Sequence, residues 1–190
     1  MSSSSLCRSL KILPLVAAAL LAAGCTAGPL YGTTHIDPVT GAGTNALVAL
    51  KGRIGIAPAQ TRTAQVFRNA MLYALNGAEP VRAPLYELRP VVTATDQVTT
   101  IQAGTGIPSA SLYRMTVDFD LVRLSDGQSI AKGQRFAMVP YDRTQQLYAA
   151  ERAVIDARDQ AGKAVAERVL AFVAPILDRE AAAGPGLVSK

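Results

Sequence analysis

Leu112-Tyr113-Arg114-Met115-Thr116-Val117-Asp118-Phe119-Asp120-Leu121 alternates, one residue at a time, between apolar and polar side chains. Successive side chains on a strand point to opposite faces, so Tyr113, Met115, Val117, Phe119 and Leu121 share one face. Arg114, Thr116, Asp118 and Asp120 share the other. A strand over 112–124, buried on one side and wet on the other, decides the fold class, because its apolar face must be covered by something. Asp118 and Asp120 lie side by side as paired catalytic carboxylates would, yet the solvated face of an alternating strand accounts for them without any reaction. Ser125-Asp126-Gly127-Gln128 follows as a hairpin turn, since Gly127 adopts positive φ without a Cβ penalty. The partner strand is expected over 129–139.

Working outward, the N-terminal neighbour of this hairpin is a Gly/Pro loop over 102–109. Before it, Tyr86, Leu88 and Val92 alternate with Glu87, Arg89 and Thr93, a half-buried strand over about 86–98. Pro90 inside it implies an edge position or a bulge, because proline cannot donate to a ladder. A helix is expected over 63–75. Its stripe is Val66, Phe67, Ala70, Met71, Ala74 and Leu75, and Asn76-Gly77 stops it. The run over 47–57, ending at Pro58, reads as the first strand. On the C-terminal side a long helix begins near Thr144 or Gln146 and ends near Leu177. Leu147, Ala150, Val154, Ala157, Ala161, Val165, Val169, Phe172 and Ile176 recur along it at three- and four-residue steps. Its polar face is of mixed sign, so it packs on a sheet rather than on a membrane surface. The order is β-α-β-β-β-α. It implies an α/β (α+β) two-layer sandwich: a small mixed sheet of about four strands with both helices on one face.

The chain opens differently. Arg8 and Lys11 precede an apolar run over 12–23 that contains Pro14 and is too short to span a bilayer, which needs about 20 residues. Leu21-Ala22-Ala23-Gly24-Cys25 closes it and resembles a lipobox, with Ala22 where a leucine is usual. Residues 1–24 are expected to be a signal peptide that is removed, and Cys25 to carry diacylglycerol and an N-acyl chain. Two or more chains anchor a protein stably where one does not. The chain has two cysteines, Cys7 and Cys25, and Cys7 leaves with the signal. No intrachain disulfide is then possible, and lipidation accounts for the unpaired thiol. The formal charge of +5 loses Arg8 and Lys11 and becomes +3, too mild for a nucleic-acid partner.

Residues 25–45 read as a lipid-anchored flexible leader, 46–178 as one domain and 179–190 as a disordered tail. His35, the only histidine, lies in the leader without cysteine or carboxylate partners at ligand spacing, so neither a metal site nor a general base is expected there. Thr40-Gly41-Ala42-Gly43-Thr44 lacks the lysine of a phosphate loop. No Gly-x-Ser-x-Gly elbow is present. The chain is expected not to be an enzyme and to need no cofactor beyond its covalent lipid.

Residues along the whole domain carry a family likeness. Pro29-Leu30-Tyr31-Gly32 follows the cysteine, and Arg62, Gln65, Arg68 and Asn69 open the first helix. Tyr86-Glu87-Leu88, Tyr141-Asp142, Leu147-Tyr148-Ala149 and Asp156-Ala157 continue the series. In this order, behind a lipobox, they resemble the lipopolysaccharide-assembly lipoproteins of the LptE family in their alphaproteobacterial form. Between Cys25 and Pro29 the chain has Thr26-Ala27-Gly28 where the family tends to show Gly-Phe-Arg. The resemblance implies an outer-membrane lipoprotein on the periplasmic side, anchored in the inner leaflet. It would plug and help assemble a large LptD-like β-barrel and assist transport of lipopolysaccharide to the outer leaflet. Thr26, in place of an aspartate, fits outer-membrane sorting. An auxiliary lipoprotein of an envelope lipid transporter of the ABC type is the alternative. Binding lipopolysaccharide phosphate calls for cations on rigid elements, where arginine makes the better bidentate contact. Arg114, Arg123, Lys132 and Arg135, on or beside the expected hairpin, are the candidates.

Overall fold

The structure is a computed structural model that describes residues 35–36, 43–44, 49–101, 103–104, 106 and 108–183, all within the compact unit that starts at Thr33. Cys25, the signal segment and most of the leader lie outside the described residues. Within the leader, β1 (His35–Ile36) pairs antiparallel with β2 (Gly43–Thr44).

The main sheet has the order β3-β4-β5-β6, built from β3 (Ile54–Ile56), β4 (Tyr86–Ile101), β5 (Pro108–Arg123) and β6 (Ser129–Asp142). Helix α1 (Arg62–Asn76) connects β3 to its parallel neighbour β4, and β4, β5 and β6 form an antiparallel meander. Helix α2 (Leu147–Ala183) closes the chain. The β-α-β-β-β-α order and the mixed four-stranded sheet are those the sequence implies.

The alternation of apolar and polar side chains is present along β5. Tyr113, Met115, Val117, Phe119 and Leu121 are buried, whereas Arg114, Thr116, Asp118 and Asp120 are not. Over the buried face, Phe67, Met71 and Leu75 of α1 pack with Ala157, Ala161, Val165, Val169, Val173 and Leu177 of α2. Burying each of the Phe, Met, Leu and Val side chains among them contributes roughly 1.5–3 kcal/mol, which fixes both helices on that face. The hairpin turn forms as read: Gly127 has φ 70°, its N–H donates to the Arg123 carbonyl at 2.9 Å, and Asp126 Oδ1 accepts from Gln128 N–H at 3.1 Å. That backbone bond, more than the Arg123 guanidinium, holds the Asp126 carboxyl below the usual carboxylate range.

Several boundaries differ from the sequence expectation, each for a local reason. Of the run expected over 47–57, the described residues 49–57 form a strand only in the three residues of β3, because Gly52 turns with φ 71° and Arg53 N–H bonds back to Leu50 O at 2.9 Å. The side chain of Asn76 sustains that turn. It is buried at the end of α1, accepts from Gly52 N–H and donates to Ile54 O, each at 3.0 Å. Helix α1 starts where Thr61 Oγ1 accepts from Ala64 N–H at 3.1 Å. Helix α2 continues past Leu177 into the expected tail, because Glu180 is gripped by Arg123 at Nε, 3.1 Å, and at Nη2. Residues 184–190 lie outside the described residues. β5 and β6 both run longer than expected towards the β4–β5 connection.

Pro90 is reconciled with an interior strand by the shortness of β3. Leu88 O accepts from Ala57 N–H at 2.9 Å, so the even residues of β4 turn their backbone groups towards β3. β3 pairs only with Tyr86, Glu87 and Leu88, and Pro90 lies beyond its end. The missing N–H therefore falls on an edge, as the sequence requires.

Candidate functional site

The four candidate cations do not converge. Arg114 lies on the face of the sheet away from the helices, its guanidinium 4.4 Å from the centre of the Phe136 ring. Lys132 is on the same face but pairs with Asp120 at 3.3 Å, six residues along the ladder from the Arg114 row. Arg135 faces the helices, stacks 4.3 Å from the Phe172 ring centre and donates to Gln134 O at 2.7 Å. Arg123 is bound by two carboxylates, Asp126 at 2.7 Å and Glu180, and these hydrogen bonds, Glu180's first, raise its pKa. It fastens the end of α2 to the β5–β6 turn. Asp118 accepts from Gln134 Nε2 at 2.7 Å, and Asp120 accepts from Ser129 and pairs with Lys132. The Ser129 hydroxyl is the main reason the Asp120 carboxyl sits below its ordinary range.

A different set of residues gathers at the opposite end of the sheet from Arg123. β6 ends beside the start of β5, and the chain turns there into α2. Arg143 donates to Ser111 Oγ at 2.7 Å and to Asp96, and Tyr141 OH donates to Asp96 at 2.6 Å. Burial first, then the hydrogen bond to the Asp96 carboxylate, pushes the Tyr141 hydroxyl above its ordinary pKa, so it stays protonated and donating. The Arg143 pKa is raised by its bond to Tyr141 and then by Asp96. This network closes the helix-side face of the sheet where the apolar core runs out.

Between that network and the first turns of α2 is an open cleft of about 640 Å³. Pro108, Tyr141, Arg143 and Thr144 form one wall. Ala150, Glu151, Val154, Ile155 and Arg158 of α2 form the other. Its volume is in the range of small-molecule sites, and its lining is mainly apolar with a few polar groups. The Nε of Arg158 is buried and, among the described residues, has no hydrogen-bond partner. An orphaned donor on a cation is costly unless a ligand or solvent completes it. Ile155 of this lining is exposed, as are the apolar side chains of Leu147 and Tyr148 in the first turn of α2 and of Val98 and Ile101 at the end of β4. A cleft of this make-up can hold an apolar chain along the α2 wall and an anionic group at Arg158. The sequence marked Leu147-Tyr148 and Tyr141-Asp142 but not Arg143 or Arg158. Only the third dimension sets these two arginines, fifteen residues apart, on facing walls.

Among the described residues no three or more His, Cys, Asp or Glu side chains gather into a possible metal site. No described helix is long and apolar enough to cross a membrane. Cys25 and the side chain of His35 lie outside the described residues.

Among solved structures, the chain is similar to a protein of Caulobacter crescentus assigned as a lipoprotein. The TM-score is 0.56 at 22% identity, over 69% of this chain and 95% of that one. Rare lipoprotein B of Shewanella oneidensis matches with a TM-score of 0.48 at 15% identity, over 64% and 92% of the two chains. A minor lipoprotein of Acinetobacter baumannii matches at 0.47 and 17%, over 64% and 88%. The likeness to the Caulobacter protein is one of fold. No protein-family model and no curated protein sequence matches the chain.

Proposed function

We propose that the chain is an outer-membrane lipoprotein, held by acyl groups on Cys25, that plugs and helps assemble an LptD-like β-barrel and assists lipopolysaccharide transport to the outer leaflet. The observation that carries this reading is the cleft lined by apolar side chains and by Arg143 and Arg158, in a fold that follows a lipobox-like cysteine. Lipopolysaccharide combines acyl chains with phosphates, and each buried CH₂ contributes about 0.8 kcal/mol. Val154, Ile155 and Pro108 would take part of an acyl chain. Arg158 would meet a phosphate through charge-assisted hydrogen bonds. The Caulobacter protein that shares the fold is itself assigned as a lipoprotein, which supports the anchor reading.

Two experiments test it. Affinity purification from detergent-solubilised outer membrane is expected to recover a large β-barrel partner, and Cys25→Ala to abolish palmitate labelling. Recovery without a barrel sinks the plug reading, and recovery of an inner-membrane transporter favours the transporter auxiliary instead. For the cleft, Arg158→Glu is expected to weaken lipopolysaccharide binding in vitro about tenfold, a loss of about 1.4 kcal/mol. Lys132→Glu, on the other face of the sheet, is expected to change it by less than about twofold, since an exposed charge already paired with Asp120 contributes little. Equal losses in the two variants would mean that overall charge, not the cleft, governs binding.

A further inference from the structure

The two edges of the sheet are treated very differently. On β6, Arg143 N–H bonds to Ser109 O at 2.9 Å, so odd-numbered residues face β5 and even-numbered ones face outward. The outward carbonyls of Gln134 and Phe136 are taken by Arg135 and Arg168, and Pro140 on the same edge has no N–H to offer. Charged side chains and proline are the usual means of keeping an edge from pairing with another chain. On β4, beyond Pro90, none of these is in place. Val92, Ala94, Asp96 and Val98 turn their N–H and C=O groups outward with no partner strand among the described residues. An inward-pointing charge such as Asp96 would normally guard such an edge, but its carboxylate is committed to Arg143 and Tyr141. Val91, Val98 and Ile101, exposed at 64%, 46% and 60%, lie along the same edge.

We infer that this edge pairs with its counterpart on a second copy of the chain, antiparallel, about a two-fold axis through Thr95. The free stretch is bounded by the end of β3 at Leu88 and by the bulge after Val98. Centring the pairing on Thr95 uses all of it. Val92 then lies opposite Val98 of the second copy and Ala94 opposite Asp96, on one face, and Thr95 meets Thr95 on the other. Moving the centre to Asp96 sets two carboxylates face to face, which is destabilising. Moving it to Ala94 sets Pro90, with no donor, opposite Val98. Four even-numbered pairs exchange about eight backbone hydrogen bonds, and the two sheets become one. The helices of both copies fall on the same side, because directly opposed residues of an antiparallel pair share a face. The inference does not rest on the proposed function, since it uses only the backbone of β4 and the contrast with β6.

The odd-numbered Thr95 pair is a non-hydrogen-bonded one, with Cα atoms about 4.5 Å apart, within reach of a disulfide. The test uses the full chain in detergent with Cys7→Ser and Cys25→Ser, adding Thr95→Cys or Thr93→Cys. Mild oxidation is expected to give a disulfide-linked dimer with Thr95→Cys. None is expected with Thr93→Cys, whose two copies would be about 13 Å apart. Ala94→Pro removes an outward N–H and leaves the β4–β5 ladder intact. It is expected to raise the dimer dissociation constant at least tenfold, roughly, in sedimentation. Absence of the Thr95 cross-link, equal cross-linking at position 93, or an Ala94→Pro chain that dimerises as before would each overturn the inference. A chain that stays monomeric at every concentration overturns it as well.

Discussion

Replacing Asn76 by alanine is expected to lower the free energy of unfolding by about 3 kcal/mol, the sum of two orphaned groups and a small void. Asn76 is 1% exposed. Its amide satisfies Gly52 N–H and Ile54 O, and alanine would leave both unpaired where water does not reach. For a domain of this size the melting temperature should fall by about 10 °C, measured by circular dichroism. Asn76→Asp separates the two bonds. It keeps an acceptor for Gly52 but turns a buried carboxylate on the Ile54 carbonyl, so its folded-state pKa must rise. A raised acid costs stability above its unfolded pKa, and the cost fades as pH falls through the folded value. The aspartate variant should therefore recover on acidification and the alanine variant should not. An alanine variant that melts with the parent would mean that these bonds contribute nothing net.

Gly162→Leu is expected to be comparably harmful, by about 3 kcal/mol, through overpacking. Helices α1 and α2 approach so closely here that a Cβ on Gly162 would lie 2.6 Å from Val66 Cγ1 and 3.5 Å from Phe67 N. Valine in a helix is confined to essentially one χ1 rotamer, so Val66 cannot swing aside, and the backbone of α1 stands behind it. Gly162→Ala is the milder comparison, because glycine inside a helix already costs about 1 kcal/mol relative to alanine. That gain offsets part of the clash for one methyl group but not for an isobutyl group. Urea unfolding of the two variants reads the difference, and a leucine variant as stable as the parent would mean that the helices part without cost.

Much of this fold is written in local periodicity. The alternation through Tyr113 and Leu121 and the three- and four-residue steps through Val165 and Val169 are properties of neighbouring residues, and they dictate strand, helix and buried face directly. Asn76 and Gly162 look unremarkable by the same measure. Asn76 passes for a helix stop and Gly162 for a weak point in a helix, because their partners, Gly52, Ile54 and Val66, are far away in sequence. The candidate site divides in the same way. Charge on the hairpin is visible in the sequence, so Arg114, Arg123, Lys132 and Arg135 stood out, and the structure scatters them over two faces and one end. Arg143 and Arg158 line one cleft only because β6 hands the chain to α2 at one end of the sheet. Pro90 was legible as an edge residue, although nothing in its neighbourhood told that β3 would stop after three residues.

Helix α2 has 37 residues, about 55 Å of length, and it is loaded unevenly. From Ala157 onward it is pinned by buried side chains, and at Glu180 by Arg123. None of the ten residues before Ala157 is fully buried, although Ala150, Glu151, Val154 and Ile155 among them form most of one wall of the cleft. Bending or fraying those first turns sacrifices exposed backbone hydrogen bonds and the partial packing of Ala153 and Val154, a cost set by local rather than global stability. The cleft proposed for binding is thus bounded by one firmly packed wall and one lightly packed, more compliant wall. Its width can follow the girth of whatever enters while the packed layers beneath keep their shape.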